Sequence, residues 1–191
     1  ADGSPVEVPE GVLVLTCGVD TQDNRLEYEV VGHGFYGETW GIKKGYIMGK
    51  PDTDEVWQQL DDVIDHVYRF KDGKGLRISI TCVDSGGHYT QEVYTRCRER
   101  KNKRVFAIKG KGGDGIPFVT PPSKVPIKDN KRITCWLYTI GVDAGKFRRL
   151  AQNIAIFRST SPAATTPTIS TACSPSVWSS RKQSAATSGT G

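Results

Sequence analysis

The chain has 191 residues, of which 37% are hydrophobic and 25% charged, enough for one domain of ordinary size plus a tail. No apolar run is long enough to span a bilayer and no charged-then-apolar segment opens the chain, so a soluble intracellular protein is expected. The net charge of +5 is uneven: residues 1–146 hold all 21 acids and 21 of the 26 Lys and Arg, whereas 147–191 hold five bases and no acid, so the overall charge is no argument for a nucleic-acid-binding face.

Residues 1–10, ADGSPVEVPE, read as a linker, and the abrupt opening suits a fragment of something longer. Residues 12–19, rich in Val and Leu, predict a buried strand. Residues 25–35 alternate, with Leu26, Tyr28 and Val30 against Glu27 and Glu29, which predicts a strand with one wet face. DTQDN between them supplies turn residues, and residues 38–48 follow as a third strand, making an antiparallel meander. A helix comes next, capped by Asp52 or Thr53, with Val56, Trp57, Leu60, Val63, Ile64 and Val67 on one apolar face. DGKG at 72–75 ends it. Residues 77–83 predict a fourth strand, 89–100 a helix, and RVFAIKG a further strand that pairs in parallel through a right-handed crossover. The stretches GKGGDGIPF and TPPSKVPIKDNK are loop-like, and 132–142 predict the last strand. The five cysteines (Cys17, Cys82, Cys97, Cys135, Cys173) are odd in number and lack CxxC spacing, so they read as buried free thiols.

Three of these strands run into an acid: Asp20, Asp84 and Asp143. A carboxylate at the end of a buried strand is costly unless compensated. Taken singly, each suits the cap of a following turn. Taken together, they suggest another arrangement. Strands 12–19 and 77–83 are expected side by side and parallel, which brings Asp20 and Asp84 to one sheet edge. Carboxylates converging there repel unless cations neutralise them, and oxygen-only ligands suit Mg²⁺ or Mn²⁺.

The order strand, strand, strand, helix, strand, helix, strand with acids at those ends resembles the ribonuclease H-like nucleases. The segments LTCGVDTQDNRLEYEVVGHG, VDSGGHYTQEVY, RVFAIKG, PSKV and IGVDAGK resemble, in that order, the C-terminal nuclease region of the GpA-type large subunit of tailed-phage terminases, over about residues 8–146. The resemblance implies an α/β fold: a ribonuclease H-like mixed sheet, with a three-strand antiparallel meander plus parallel strands, flanked by helices. It implies a nuclease domain over 11–146 and an endonuclease that cuts concatemeric viral double-stranded DNA during packaging. It makes Asp20, Asp84 and Asp143 the catalytic metal ligands, with Asp23 and Glu27 as nearby substitutes for the third. Two Mg²⁺ or Mn²⁺ ions about 4 Å apart would activate water and steady the leaving 3′ oxygen, with no covalent enzyme intermediate. The implied partners of the full-length protein are the terminase small subunit and the portal, and the implied compartment is the cytoplasm of the bacterial host.

Other residues have two readings each. His88 reaches the cleft to orient a water or touch a phosphate, or else is a solvent-facing residue at a helix start. Gly86 and Gly87 let a phosphodiester approach the backbone at that helix start, or form a tight turn. Arg96, Arg98, Arg100, Lys101, Lys103 and Arg104 form a basic run, most simply a solvated helix end. Lys109 and Lys124 are candidates for sequence-independent DNA-backbone contacts. GKGGDG lacks the Walker A spacing and its closing Lys-Ser/Thr, so the ATPase domain is missing from this stretch and DNA translocation is not expected of it.

From Phe147 the sequence departs from the family's pattern. Of the last 45 residues 23 are Ser, Thr or Ala and none is acidic, so 147–191 are expected to be a disordered tail, or the product of a frameshift in a decaying prophage. Two rival readings stand beside the nuclease. One is a non-catalytic DNA-clamping or portal-docking module whose acids have become structural. The other is a fragment of an actin/hexokinase-like phosphotransferase. That fold expects Gly soon after its first-strand Asp, whereas Thr21-Gln22 follow here.

Overall fold

Alternation sets the first strand. In the computed structural model, which describes residues 6–127 and 130–148, β1 (Val14–Thr21) buries Leu15, Cys17, Val19 and Thr21 on one face. Val14, Gly18 and Asp20 lie on the other face, so the strand expected to be buried throughout is half covered. The chain turns back through Gln22, whose N–H donates to the Arg25 carbonyl at 3.0 Å. It then forms β2 (Arg25–His33) and β3 (Thr39–Met48), paired antiparallel in the expected meander.

Helix α1 (Asp54–Asp65) buries Val56, Trp57, Leu60 and Ile64, four of the six positions the spacing marked as apolar. A two-residue pair, β4 (Tyr68–Arg69) with β5 (Gly75–Leu76), follows; it was not expected from the sequence. Its Arg69 carbonyl accepts the N–H groups of Glu7 and Val8, and Val8 is 1% exposed, so this end of the expected linker is packed into the fold. β6 (Ile78–Asp84) lies parallel to β1, and α2 (Thr90–Glu99) crosses to β7 (Val105–Lys111), parallel to β6.

The segment read as loop contains β8 (Ser123–Ile127), which pairs antiparallel with β9 (Asn130–Gly141); β9 in turn runs parallel to β7. β8 escapes a sequence reading because it holds Lys124 and Pro126. These residues suit an edge strand and weaken the usual strand pattern. The seven strands lie in the order β3-β2-β1-β6-β7-β9-β8. Residues 142–148 then turn helical.

Both long helices pack on one face of this sheet, where Leu15, Val19, Val83, Val105, Ala107 and Leu137 join their apolar sides in one core. α1 and the end of α2 are clasped by charge. Arg100 donates to Asp61 at 2.9 Å, Lys103 bridges Asp61 and Asp65, and Arg96 meets Asp54 and Glu92. Three members of the basic run are therefore engaged within the fold. No helix of the described residues is long and apolar enough to cross a membrane. The antiparallel meander, the parallel strands and the flanking helices make the architecture ribonuclease H-like. Most of the tail expected over 147–191, residues 149–191, lies outside the described residues.

Candidate active site

Strand register builds the site. In the parallel β1/β6 pair Val19 is the partner of Val83, so the next residues, Asp20 and Asp84, stand side by side on the face away from the helices. In the antiparallel β1/β2 pair Asp20 is the partner of Glu27. Glu27, Asp20 and Asp84 thus form one row across three strands, each about 5 Å from its neighbour by the spacing of paired strands. The hairpin itself dictates the Glu27 position. Once the turn closes between Gln22 and Arg25, Asp20 and Glu27 must face each other.

Each carboxylate of the row is held. Gln22 donates a side-chain hydrogen bond to Asp20 Oδ2. The Gly86 N–H donates to Asp84 Oδ1 at 3.0 Å, and a Cβ at position 86 would stand 3.3 Å from that oxygen, so glycine there serves the close approach to the carboxylate. Glu27 Oε1 accepts from Arg25 Nε at 2.8 Å and pairs with Arg25 Nη2 at 2.6 Å. Ser85, 1% exposed, ties the loop after Asp84 to β7 through two bonds to the Ile108 carbonyl, from its N–H at 2.9 Å and its hydroxyl at 2.8 Å.

The remaining candidates lie around this row. Asp23 points to His88 rather than to Asp20: its Oδ1 is 3.0 Å from His88 Nδ1, both side chains are exposed, and the contact joins the β1–β2 turn to the loop before α2. The Gly87 carbonyl, with that of Ser85, lies 2.7 Å from the Thr90 hydroxyl and fixes the start of α2. Lys109 is exposed at the carboxyl end of β7, with the parity of the helix-covered face. Lys124 is on β8, its ammonium 5.1 Å above the Trp136 ring. Asp143 sits just beyond β9, two strands from β6 on the far side of β7. Its Oδ2 accepts the Gly113 N–H at 2.9 Å, and Lys146 is 3.9 Å from Oδ1. Asp143 shares the carboxyl edge of the parallel strands with Asp20 and Asp84 but faces the 112–117 loop.

The donors gathered in the row are all carboxylate oxygens. Among the described residues no three of His, Cys, Asp and Glu come together as a group that could hold a metal ion, so Asp20, Asp84 and Asp143 are not gathered at one point. A Mg²⁺ or Mn²⁺ site does not require such a group. Such ions are held by one or two carboxylates and complete their shell with water and substrate phosphates. Two adjacent acids on an open sheet edge fit that chemistry.

The chain matches the family described as "Terminase large subunit gpA, endonuclease domain" over residues 2–168, a stretch that runs past the change in composition at Phe147. It is 35% identical over 139 residues to the terminase large subunit of Enterobacteria phage P21, and likewise 35% identical over 139 residues to that of Escherichia phage lambda. These matches cover 73% of this chain and 21% of each relative, so the chain spans about a fifth of their length. No solved structure gives a significant match. On the family match across most of its length, the chain belongs to the terminase large subunit gpA family and corresponds to its endonuclease domain.

Proposed function

We propose that residues 11–146 are a metal-dependent DNA endonuclease domain that cuts concatemeric viral double-stranded DNA by two-metal hydrolysis during genome packaging. The observation that carries this reading is the side-by-side placement of Asp20 and Asp84 at an open sheet edge. Asp20 and Asp84 hold the ions, and Asp143 supplies the third carboxylate from the end of β9. Asp143 is preferred to Glu27 because Arg25 already neutralises Glu27 through two short contacts, whereas Asp143 has a backbone N–H and a lysine at 3.9 Å. When bound, Mg²⁺ or Mn²⁺ makes water nucleophilic at neutral pH and stabilises charge on the leaving oxygen.

The protein's own groups do the positioning. Gln22 and the Gly86 N–H fix the two carboxylates before any ion arrives, the task outer contacts perform at metal sites. His88, steadied by Asp23, stands at the rim where a scissile phosphate enters, with Gly86 and Gly87 beside it. Lys109, exposed at the carboxyl end of β7 but on the opposite parity from Asp84, meets the DNA backbone only as it passes beyond the strand end. None of these groups reads a base edge, so cleavage by the domain alone is structure-selective rather than sequence-selective. The small subunit, the portal and the ATPase portion belong to the full-length protein in this reading, and the host cytoplasm is where it acts.

Plasmid cleavage with Mn²⁺ tests the proposal, comparing the 191-residue chain with its Asp20→Asn variant. Nicking and linearisation that disappear in the variant support it. Plasmid binding without cleavage in both proteins favours instead a clamping or portal-docking module.

A further inference from the structure

The face of the sheet away from the helices carries more than the acidic row. Register places Gly18 beside Cys82 and Cys82 beside Phe106. On the next strand over, Leu137 is the partner of Ala107, so Trp136 has the parity of Phe106. Trp136 is 49% exposed with Lys124 over its ring, and Phe106 meets Tyr138 edge-on with ring centroids 5.4 Å apart. The row of Asp20 and Asp84 continues along the sheet to Ile108 and then Tyr138. The aromatic group therefore lies on the same face as the carboxylates, beginning at Phe106 one strand from Asp84 and reaching Trp136 and Tyr138 two strand spacings, or roughly 10 Å, from β6. Charge changes along this path: β7, β8 and β9 contain no acidic residue, and Lys124, the partner of Trp136, and Arg132 are exposed cations on β8 and β9.

We propose that Trp136, with Lys124 above it and the Phe106–Tyr138 pair beside it, is a stacking platform for a single polynucleotide strand entering or leaving the Asp20–Asp84 edge. The inference rests on the nuclease reading and specifies the form of its substrate, a duplex locally opened so that unpaired bases reach a sheet face. An exposed aromatic ring backed by a half-buried pair and flanked by cations on an open sheet suits unpaired nucleotides, because every base has a face that stacks while Lys124 and Arg132 meet the phosphates. An intact duplex keeps its bases stacked on one another and offers this surface only phosphates. A polyanion also suits strands without acids better than an apolar protein segment does.

The test uses the full chain carrying Asp20→Asn in EDTA, so that binding is read without cleavage. A fluorescein-labelled twelve-nucleotide oligo(dT), about long enough to cross the sheet, is titrated and followed by anisotropy. Trp136→Ala is expected to weaken binding about 5- to 150-fold, the worth of one base–aromatic stack, and Trp136→Phe to retain most of it. A duplex of equal length is expected to lose less than threefold on the same change. Thermal melts confirm that each variant folds. Equal oligo(dT) affinity for Trp136→Ala and the parent overturns the proposal. So does a Trp136-dependent dimer in sedimentation. So does protection of Trp136 that is lost when residues 149–191 are deleted, since the occupant is then this chain itself. Failure of the nuclease reading looks different: the chain with Asp20 intact leaves plasmid uncut whatever Trp136 does.

Discussion

Asp20 and Asp84 are neighbours across the parallel β1/β6 junction, one residue beyond the Val19–Val83 pair, and both lie on the face that the helices leave uncovered. Like charges directly abreast on a sheet cost up to about 1 kcal/mol, so this pairing is a source of instability that a bound cation would remove under the proposed function. Asn at either position is expected to raise the melting temperature in EDTA and to abolish the rise that Mn²⁺ produces in the parent protein. An ion that binds only the folded state stabilises it by mass action, so the difference between the two melts reports binding without reference to cleavage. An unchanged Mn²⁺ shift in Asp84→Asn would remove Asp84 from the site.

The third carboxylate is decided by a paired comparison. Asp143→Asn is expected to weaken Mn²⁺ binding at least tenfold, about what the loss of even an outer contact costs at metal sites. Glu27→Gln is expected to stay within about threefold of the parent, because Arg25 already occupies Glu27. Isothermal titration calorimetry on both variants reads this directly, and the reverse order of effects would assign Glu27.

Acid lability has a source apart from the carboxylates. His33 sits 2.8 Å from the Thr16 hydroxyl, and burial lowers its pKa from the ordinary 6.5. Below about pH 6.5 the unfolded chain takes up a proton that the folded chain refuses, so stability falls as the pH drops through the folded-state value. His33→Gln removes this uptake. Denaturation midpoints between pH 7.5 and 5 are expected to fall less steeply in the variant, and an identical slope would show that His33 plays no part.

The core rests on a few large side chains. Trp57 is 0% exposed, donates its indole N–H to the Pro51 carbonyl at 2.8 Å and has the Arg100 guanidinium 5.4 Å above its ring. Trp57→Ala is expected to cost about 3–5 kcal/mol in urea unfolding, from lost burial and the cavity left behind. A cost below about 1 kcal/mol would mean that the α1–sheet contact is not part of the cooperative core.

Three of the described thiols are set to be inert. Burial raises the Cys17 pKa to about 12 and lifts those of Cys97 and Cys135, and all three side chains are buried. Thiolate is the reactive form, so iodoacetamide at pH 8 is expected to leave these cysteines unmodified until denaturant is added. Peptide mass spectrometry checks each position, and native labelling of Cys17 or Cys97 would contradict the packing described.

The sequence alone determined the meander, both helices and the parallel placement of residues 12–19 beside 77–83. These follow from short-range causes: alternation in strands, three-and-four spacing in Trp57 and Leu60, turn residues at DTQDN, and the crossover rule. It also marked Asp20, Asp84 and Asp143 as acids needing an explanation. Only the tertiary structure decided how those acids are arranged. Register joins Asp20 to Asp84 and to Glu27, while β7 separates β6 from β9 and leaves Asp143 on the far side, bonded to Gly113. The edge strand β8 and the exposed Trp136 on its neighbour were equally out of reach, because Lys and Pro in a short segment read as loop. Local pattern reports which face a residue takes along its own strand. Which strand lies alongside, and which side chains share a row, depends on hydrogen-bonded pairing between segments far apart in the chain.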